Sequence, residues 1–89
     1  MSEFTTDDCR KGFVGIAVEE RETVSEMNRI LSSYSDLILG RIGLPDPKDG
    51  TAVIGLIVFG SPDRVGAMTG RLGNLHGVQV RSAMLPKKK

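Results

Sequence analysis

His76, in the stretch GRLGNLHGVQV (70–80), is the single histidine of the chain. It is the first residue to test for chemistry. A metal site needs three or four convergent ligands, and a general base needs a partner group and a nucleophile within reach. No second histidine and no cysteine lies near it. Gly77 follows where a helix should end and the chain reverse, a position that favours positive φ. His76 therefore reads as a turn residue.

The remaining reactive side chains are equally isolated. Cys9 is the one cysteine, so no internal disulfide can form, and a reducing cytoplasmic setting fits best. Asp7 and Asp8 beside it do not supply the basic surroundings that make a thiol reactive. Ser32, Ser33 and Ser35 have no histidine nearby in sequence. Glu19, Glu20 and Glu22 with Asp36 resemble a carboxylate cluster, but acids at a helix start more often serve its dipole. There is no GxGxxG, P-loop, CxxC or HxxxH spacing. No catalytic residue, metal site or cofactor is expected. Arg41 stands out because it interrupts an apolar strand just before Gly43 and Pro45. It is either the polar side of an edge strand or a contact to an anion or a subunit.

These residues must be positioned by one small domain, since 89 residues leave no room for two cores. Residues 1–12 lack periodicity and are expected to form a flexible tail, 13–85 the domain, and 86–89 a basic end. FVGIAVE (13–19) reads as a buried strand. The following helix carries Val24, Met27, Ile30, Leu31 and Tyr34 at helical spacing, and Thr23 with Glu26 forms a candidate capping box. DLILGRIGL (36–44) is a second strand, with Leu37 and Leu39 opposite Ile38 and Ile42. PDPKDG makes a turn. TAVIGLIVFG (51–60) is a third strand, apolar on both faces and therefore central. Ser61, Pro62 and Asp63 start a second helix, with Val65, Met68, Leu72 and Leu75 as its buried stripe. GVQVRSAML (77–85) is the last strand.

The order is βαββαβ. Right-handed crossovers leave space for a strand between each pair, so two interleaved halves give an α+β, ferredoxin-like sandwich. A four-stranded antiparallel sheet should carry both helices on one face. The third strand nevertheless presents Ala52, Ile54, Leu56 and Val58 on one side and Val53, Ile57 and Phe59 on the other. A sheet greasy on both faces needs a second cover, which another subunit would supply. The expected partner is a second copy, giving a dimer or tetramer joined through the sheet. Gly66 and Gly70 share one face of the second helix, where they allow either close packing inside the domain or contact with a partner or ligand.

Charge and hydropathy exclude other classes. Net charge is +1, far from the field of a dedicated nucleic-acid binder. The longest apolar run, AVIGLIVFG, is about half the ~20 residues a membrane span needs. Inner-strand aromatics are limited to Phe13 and Phe59, which argues against an RNA-recognition motif. The segment after the first strand is EERE, without the cysteine pair of heavy-metal chaperones or the glycine- and arginine-containing loop of acylphosphatases.

The segments GRIGLP, GAMTGRLG and L-x-GV, with VEERETVSEMNRIL before them, resemble a family of ACT-like domains. Its members are proposed regulators of the iron-only hydrogenase system. The resemblance covers residues 13–85. It implies a non-catalytic regulatory or sensor module, acting as an oligomer with a small effector at subunit interfaces. Related nickel-responsive domains hold metal with several histidines and a cysteine, which are missing here. They also read DNA through an N-terminal segment for which a dozen residues are too few, so no direct sequence-specific DNA binding is expected. The alternative is a structural or protein-interaction subunit without effector. If an effector binds, Glu20 and Arg21 at the helix start, with Arg41 and Gly43, are the expected contacts.

His76→Ala is expected to leave metal content unchanged and to shift stability by less than about 1 kcal/mol, as surface substitutions do. Metal analysis and denaturant unfolding of the variant check both. Stoichiometric metal lost with the imidazole would overturn the turn reading.

Overall fold

The computed structural model of the chain describes residues 8–44, 48 and 50–86. Expectations for residues 1–7, most of the 45–49 turn and the last three lysines lie outside them. Strand β1 (Arg10–Val18) leads through a 3-10 turn to helix α1 (Val24–Ser33), and a second 3-10 turn leads to β2 (Ile38–Leu44). Then come β3 (Ala52–Gly60), helix α2 (Pro62–Gly73) and β4 (Val78–Met84). The sheet is wholly antiparallel in the order β2-β3-β1-β4. This is the interleaved α+β, ferredoxin-like arrangement, with β1 and β3 inside.

One core forms between the sheet and the helices. Val14, Ile16 and Val18 of β1 and Ile54, Leu56 and Val58 of β3 point into it. Met27, Ile30 and Leu31 of α1 meet them, as do Val65, Met68 and Leu72 of α2. The spacings within each helix are those of a single apolar stripe. No polar side chain is buried among the described residues, so apolar burial, at about 1.5–3 kcal/mol per large side chain, dominates the stability.

The start of α2 is as its residues dictate. Ser61 Oγ accepts from Arg64 N–H at 3.2 Å, and Pro62 occupies the first turn. The start of α1 differs from the capping-box expectation. Thr23 already has helical backbone angles, and its hydroxyl donates to Glu20 C=O at 2.7 Å. The 3-10 turn Arg21–Thr23 occupies the place where an extended cap would sit. Strand β1 begins at Arg10, three residues ahead of the expected start, because Arg10 to Gly12 continue the ladder to β3.

The larger departure is in β2. Its pairing to β3 runs Ile38 with Val58, then Gly40 with Ile57, so one residue is extra. A bulge of this kind reverses the side-chain alternation beyond it. Arg41 falls opposite buried Leu56 on the helix side, whereas Ile42 and Leu44 fall opposite Gly55 and Val53 on the open side. Ile42 therefore does not share a face with Ile38, as simple alternation predicted.

The open face of the sheet is apolar. Phe13, Leu39, Ile42 and Leu44 each leave 60% or more of their surface exposed, and Val53 and Ile57 join them. Helix α2 also differs from one expectation: a Cβ built at Gly66, Gly70 or Gly73 meets nothing within 4 Å, so these glycines serve no close packing inside the domain.

Met68 is fully buried between helix and sheet. Met68→Ala should destabilise the fold by about 2–5 kcal/mol, the range for truncation at a core site that cannot collapse. A lower urea midpoint with an unchanged slope is the expected reading.

Candidate functional site

The bulge in β2 carries Arg41 over the sheet toward α1, where its guanidinium donates to Asn28 Oδ1 at 3.0 Å. That one bond leaves further donors of the planar fork available. Gly43, two residues on, faces the same side opposite Ile54 and has no side chain to fill the space. The result is a groove of about 890 Å³ between the start of α1 and the β2–β3 end of the sheet. Val24, Met27 and Ile54 make its apolar floor, and Arg21 and Arg41 stand at its sides. Among the described residues, neither arginine is paired with a carboxylate. Glu19 is the acid of the lining. Such a site can hold an anion against an apolar base.

Three of the four expected contact residues, Arg21, Arg41 and Gly43, thus line one groove. Glu20 does not. Its half-buried side chain turns to the α2–β4 turn, where a Cβ on Gly77 would collide with Glu20 Cγ. Gly77 has φ +74°, and its carbonyl accepts from Glu19 N–H at 2.8 Å. The physical reason is a tie across the chain: the peptide after Val18 is bonded to Gly77, and the next side chain turns away from β2. His76 stands exposed in the same turn, with Nε2 3.6 Å from Glu20 Oε2. Residues that spacing alone did not single out are Asn28, which positions Arg41, and Leu44 and Val53. Those two rim the groove and also belong to the apolar open face. The bulge hid Leu44, because the parity of β2 changes within the strand.

A second cluster lies at the other end of α1. Arg64 pairs with Asp36 through both carboxylate oxygens, one at 3.3 Å, and holds that carboxyl below the usual carboxylate range. The Arg64 and Arg71 guanidinium groups stand 5.6 and 5.8 Å from the centre of the Tyr34 ring. The pair is exposed, so it joins α2 to the turn before β2 with little effect on stability. Among the described residues no group of three His, Cys, Asp or Glu could hold a metal ion. Nor is any helix among them long and apolar enough to cross a membrane.

The family model of TM1266-like proteins, proposed regulators of the iron-only hydrogenase system, matches residues 10–82. The chain belongs to the TM1266-like family. The solved structure of the uncharacterized protein TM1266 from Thermotoga maritima is similar at 30% identity and a TM-score of 0.83. That similarity covers 88% of this chain and 99% of the other. The ACT domain of GTP pyrophosphokinase from Chlorobium tepidum is similar at 19% identity and a TM-score of 0.67, over 89% of both chains. The C-terminal domain of the MgtC protein from Mycobacterium tuberculosis is similar at 10% identity and a TM-score of 0.69, covering 88% of this chain and 89% of that one. The last two likenesses are of fold. No curated protein matches the chain. As a TM1266-like protein, the chain has the ACT-like fold and a regulatory family assignment.

The tie between Glu20 and Gly77 makes its own test. Gly77→Ala should destabilise the fold by more than the about 1–2 kcal/mol that a left-handed residue costs, because the new methyl also displaces the Glu20 side chain. Guanidinium unfolding of the variant measures it, and a loss below that range would show that the turn relaxes freely.

Proposed function

We propose that the chain is a non-catalytic, ACT-like regulatory module that works as a homo-oligomer and takes a small anionic effector in the groove beside Arg21 and Arg41. The observation that carries the reading is the groove itself: two guanidinium groups over an apolar floor, without a carboxylate partner among the described residues. A ligand there gains charge-assisted hydrogen bonds from Arg41, whose side chain Asn28 already orients. The groove opens beside Leu44 and Val53. A second copy covering the open sheet face would touch the same two residues, so effector and assembly would stabilise each other. The family assignment as a regulator supports the non-catalytic part of the reading.

The exposed apolar face also favours a simpler reading, that of an interaction subunit whose face is all that matters. The two separate in a melting experiment. An effector at a hundredfold excess over its dissociation constant adds about 2.7 kcal/mol. For a domain of this size that is a shift of roughly ten degrees or more. A panel of amino acids, nucleotides and organic acids should contain a compound that produces it, and Arg41→Ala should remove the shift while leaving the apo protein folded. A hit that survives Arg41→Ala puts the effector elsewhere. If the whole panel leaves the melting point unmoved, the interaction-subunit reading is the better one. Light scattering at micromolar concentration should give more than one chain's mass.

A further inference from the structure

The four strands contain no aspartate or glutamate. Their cations on the open side of the sheet are Lys11 and Arg81. Lys11 shares that side with Phe13, two residues on, and Arg81 stands opposite Gly15. Among the described residues neither cation is paired with a carboxylate, and the Arg81 guanidinium donates to Val80 C=O at 2.9 Å. Between them Phe13 leaves 60% of its surface exposed. Gly15 comes next on that face and pairs with Gly55 of β3. Two bare positions side by side leave a hollow next to the Phe13 ring, and strand glycines of this kind mark a close approach. This half of the open face is thus an aromatic ring and a hollow set between two cations.

We propose that residues 1–8 of the same chain, MSEFTTDD, fold back over this half of the sheet, with Phe4 in the hollow and the acids on Lys11 and Arg81. The segment has three carboxylates, Glu3, Asp7 and Asp8, one aromatic ring, and no lysine or arginine. It also ends beside the surface it covers: Asp8 is exposed in a 3-10 turn, two residues before β1 starts at Arg10. The lengths agree. Lys11 to Gly15 is four strand residues, about 13 Å, and Phe4 precedes Asp7 by three, about 10 Å of extended chain. Run antiparallel to β1, the segment keeps Asp7 and Asp8 near Lys11. Phe4 then reaches the stretch from Phe13 to Gly15, and Glu3 comes level with Arg81. A second copy's sheet offers no such match, because its strands bring no carboxylate to Lys11 or Arg81.

The contact leaves Ile42, Leu44 and Val53 on the other half of the face, so it stands apart from the assembly proposed above. The chain has no tryptophan, and Phe4→Trp in the full chain places one reporter on the segment. Its emission should lie to the blue of free indole and resist quenching by acrylamide. Lys11→Glu with Arg81→Glu, both at exposed positions, should keep a cooperative melt and return the emission to the free value. Adding Glu3→Lys, Asp7→Lys and Asp8→Lys to that pair should restore the shielding. Amide spectra of the unmodified chain and of Phe4→Ser give a second reading without the larger ring. The resonances of Phe13, Gly15 and Arg81 should move between them, and those of Gly66, Gly70 and Gly73 should not. Phe13, Gly15 and Arg81 amides that stay unmoved would overturn the proposal whatever the indole shows. So would shielding that survives Lys11→Glu with Arg81→Glu, or that fades on dilution and so comes from another copy's segment.

Discussion

Strand β2 has one residue more than its partner needs, and the placement of that residue governs both surfaces of the molecule. Before the bulge, Ile38 sits over the core opposite Val58; after it, Arg41 holds the equivalent side. A long charged side chain is thereby aimed at α1 and ends on Asn28. The same inversion sends Ile42 and Leu44 to the open face. Without the extra residue Arg41 would lie on the open face and Ile42 over the groove. The groove would lose a donor and gain a β-branched plug, and the open face would acquire a charge at its apolar centre.

The rest of the architecture holds this strand in place. β3 supplies Leu56 and Val58 to the core on one side and Val53 and Ile57 to the open face on the other, so it can sit only in the interior. β1 lies beside it and carries the same alternation, with Phe13 outward between Gly12 and Val14. The helices contribute one apolar stripe each to the core. At the β1–α1 junction the bond from Glu19 to Gly77 ties the first loop to the last turn. That tie leaves the other side of the loop, with Arg21, free to edge the groove.

Much of this was legible in the residue order. Ser61-Pro62-Asp63 dictates where α2 starts, the double apolar pattern of 51–60 marks an interior strand, and Gly77 marks the positive-φ turn. The family segments pointed to the ACT-like fold, and the grouping of Arg21, Arg41 and Gly43 followed from placing two loops at one end of the sheet. What stayed hidden depended on pairing rather than on composition. A bulge has no local signature in DLILGRIGL, since it is defined by the strand opposite, and so alternation groups Ile42 with Ile38, from which the bulge separates it. Glu20 was misplaced for a similar reason: its direction follows from the backbone bond that the preceding Glu19 makes to Gly77, far along the chain. Thr23 and Glu26 have the spacing of a capping box, but spacing cannot report that the preceding residues already wind into a 3-10 turn.

The strand order also has a consequence for how the chain comes to be folded. β1 is the second strand to be covered on both sides, yet it is made first. Its neighbours are β3, whose Gly60 pairs with Arg10, and β4, whose Met84 pairs with Gly12, seventy-two residues later. Until those segments have been synthesised, Val14 and Ile16 have no sheet to join. Closing such long loops must precede the contacts that stabilise them, which slows folding and leaves apolar strands unpaired in the interval. A growing chain therefore holds its most buried residues in waiting for most of its synthesis. That interval, rather than the finished structure, is when the molecule is most open to misassociation.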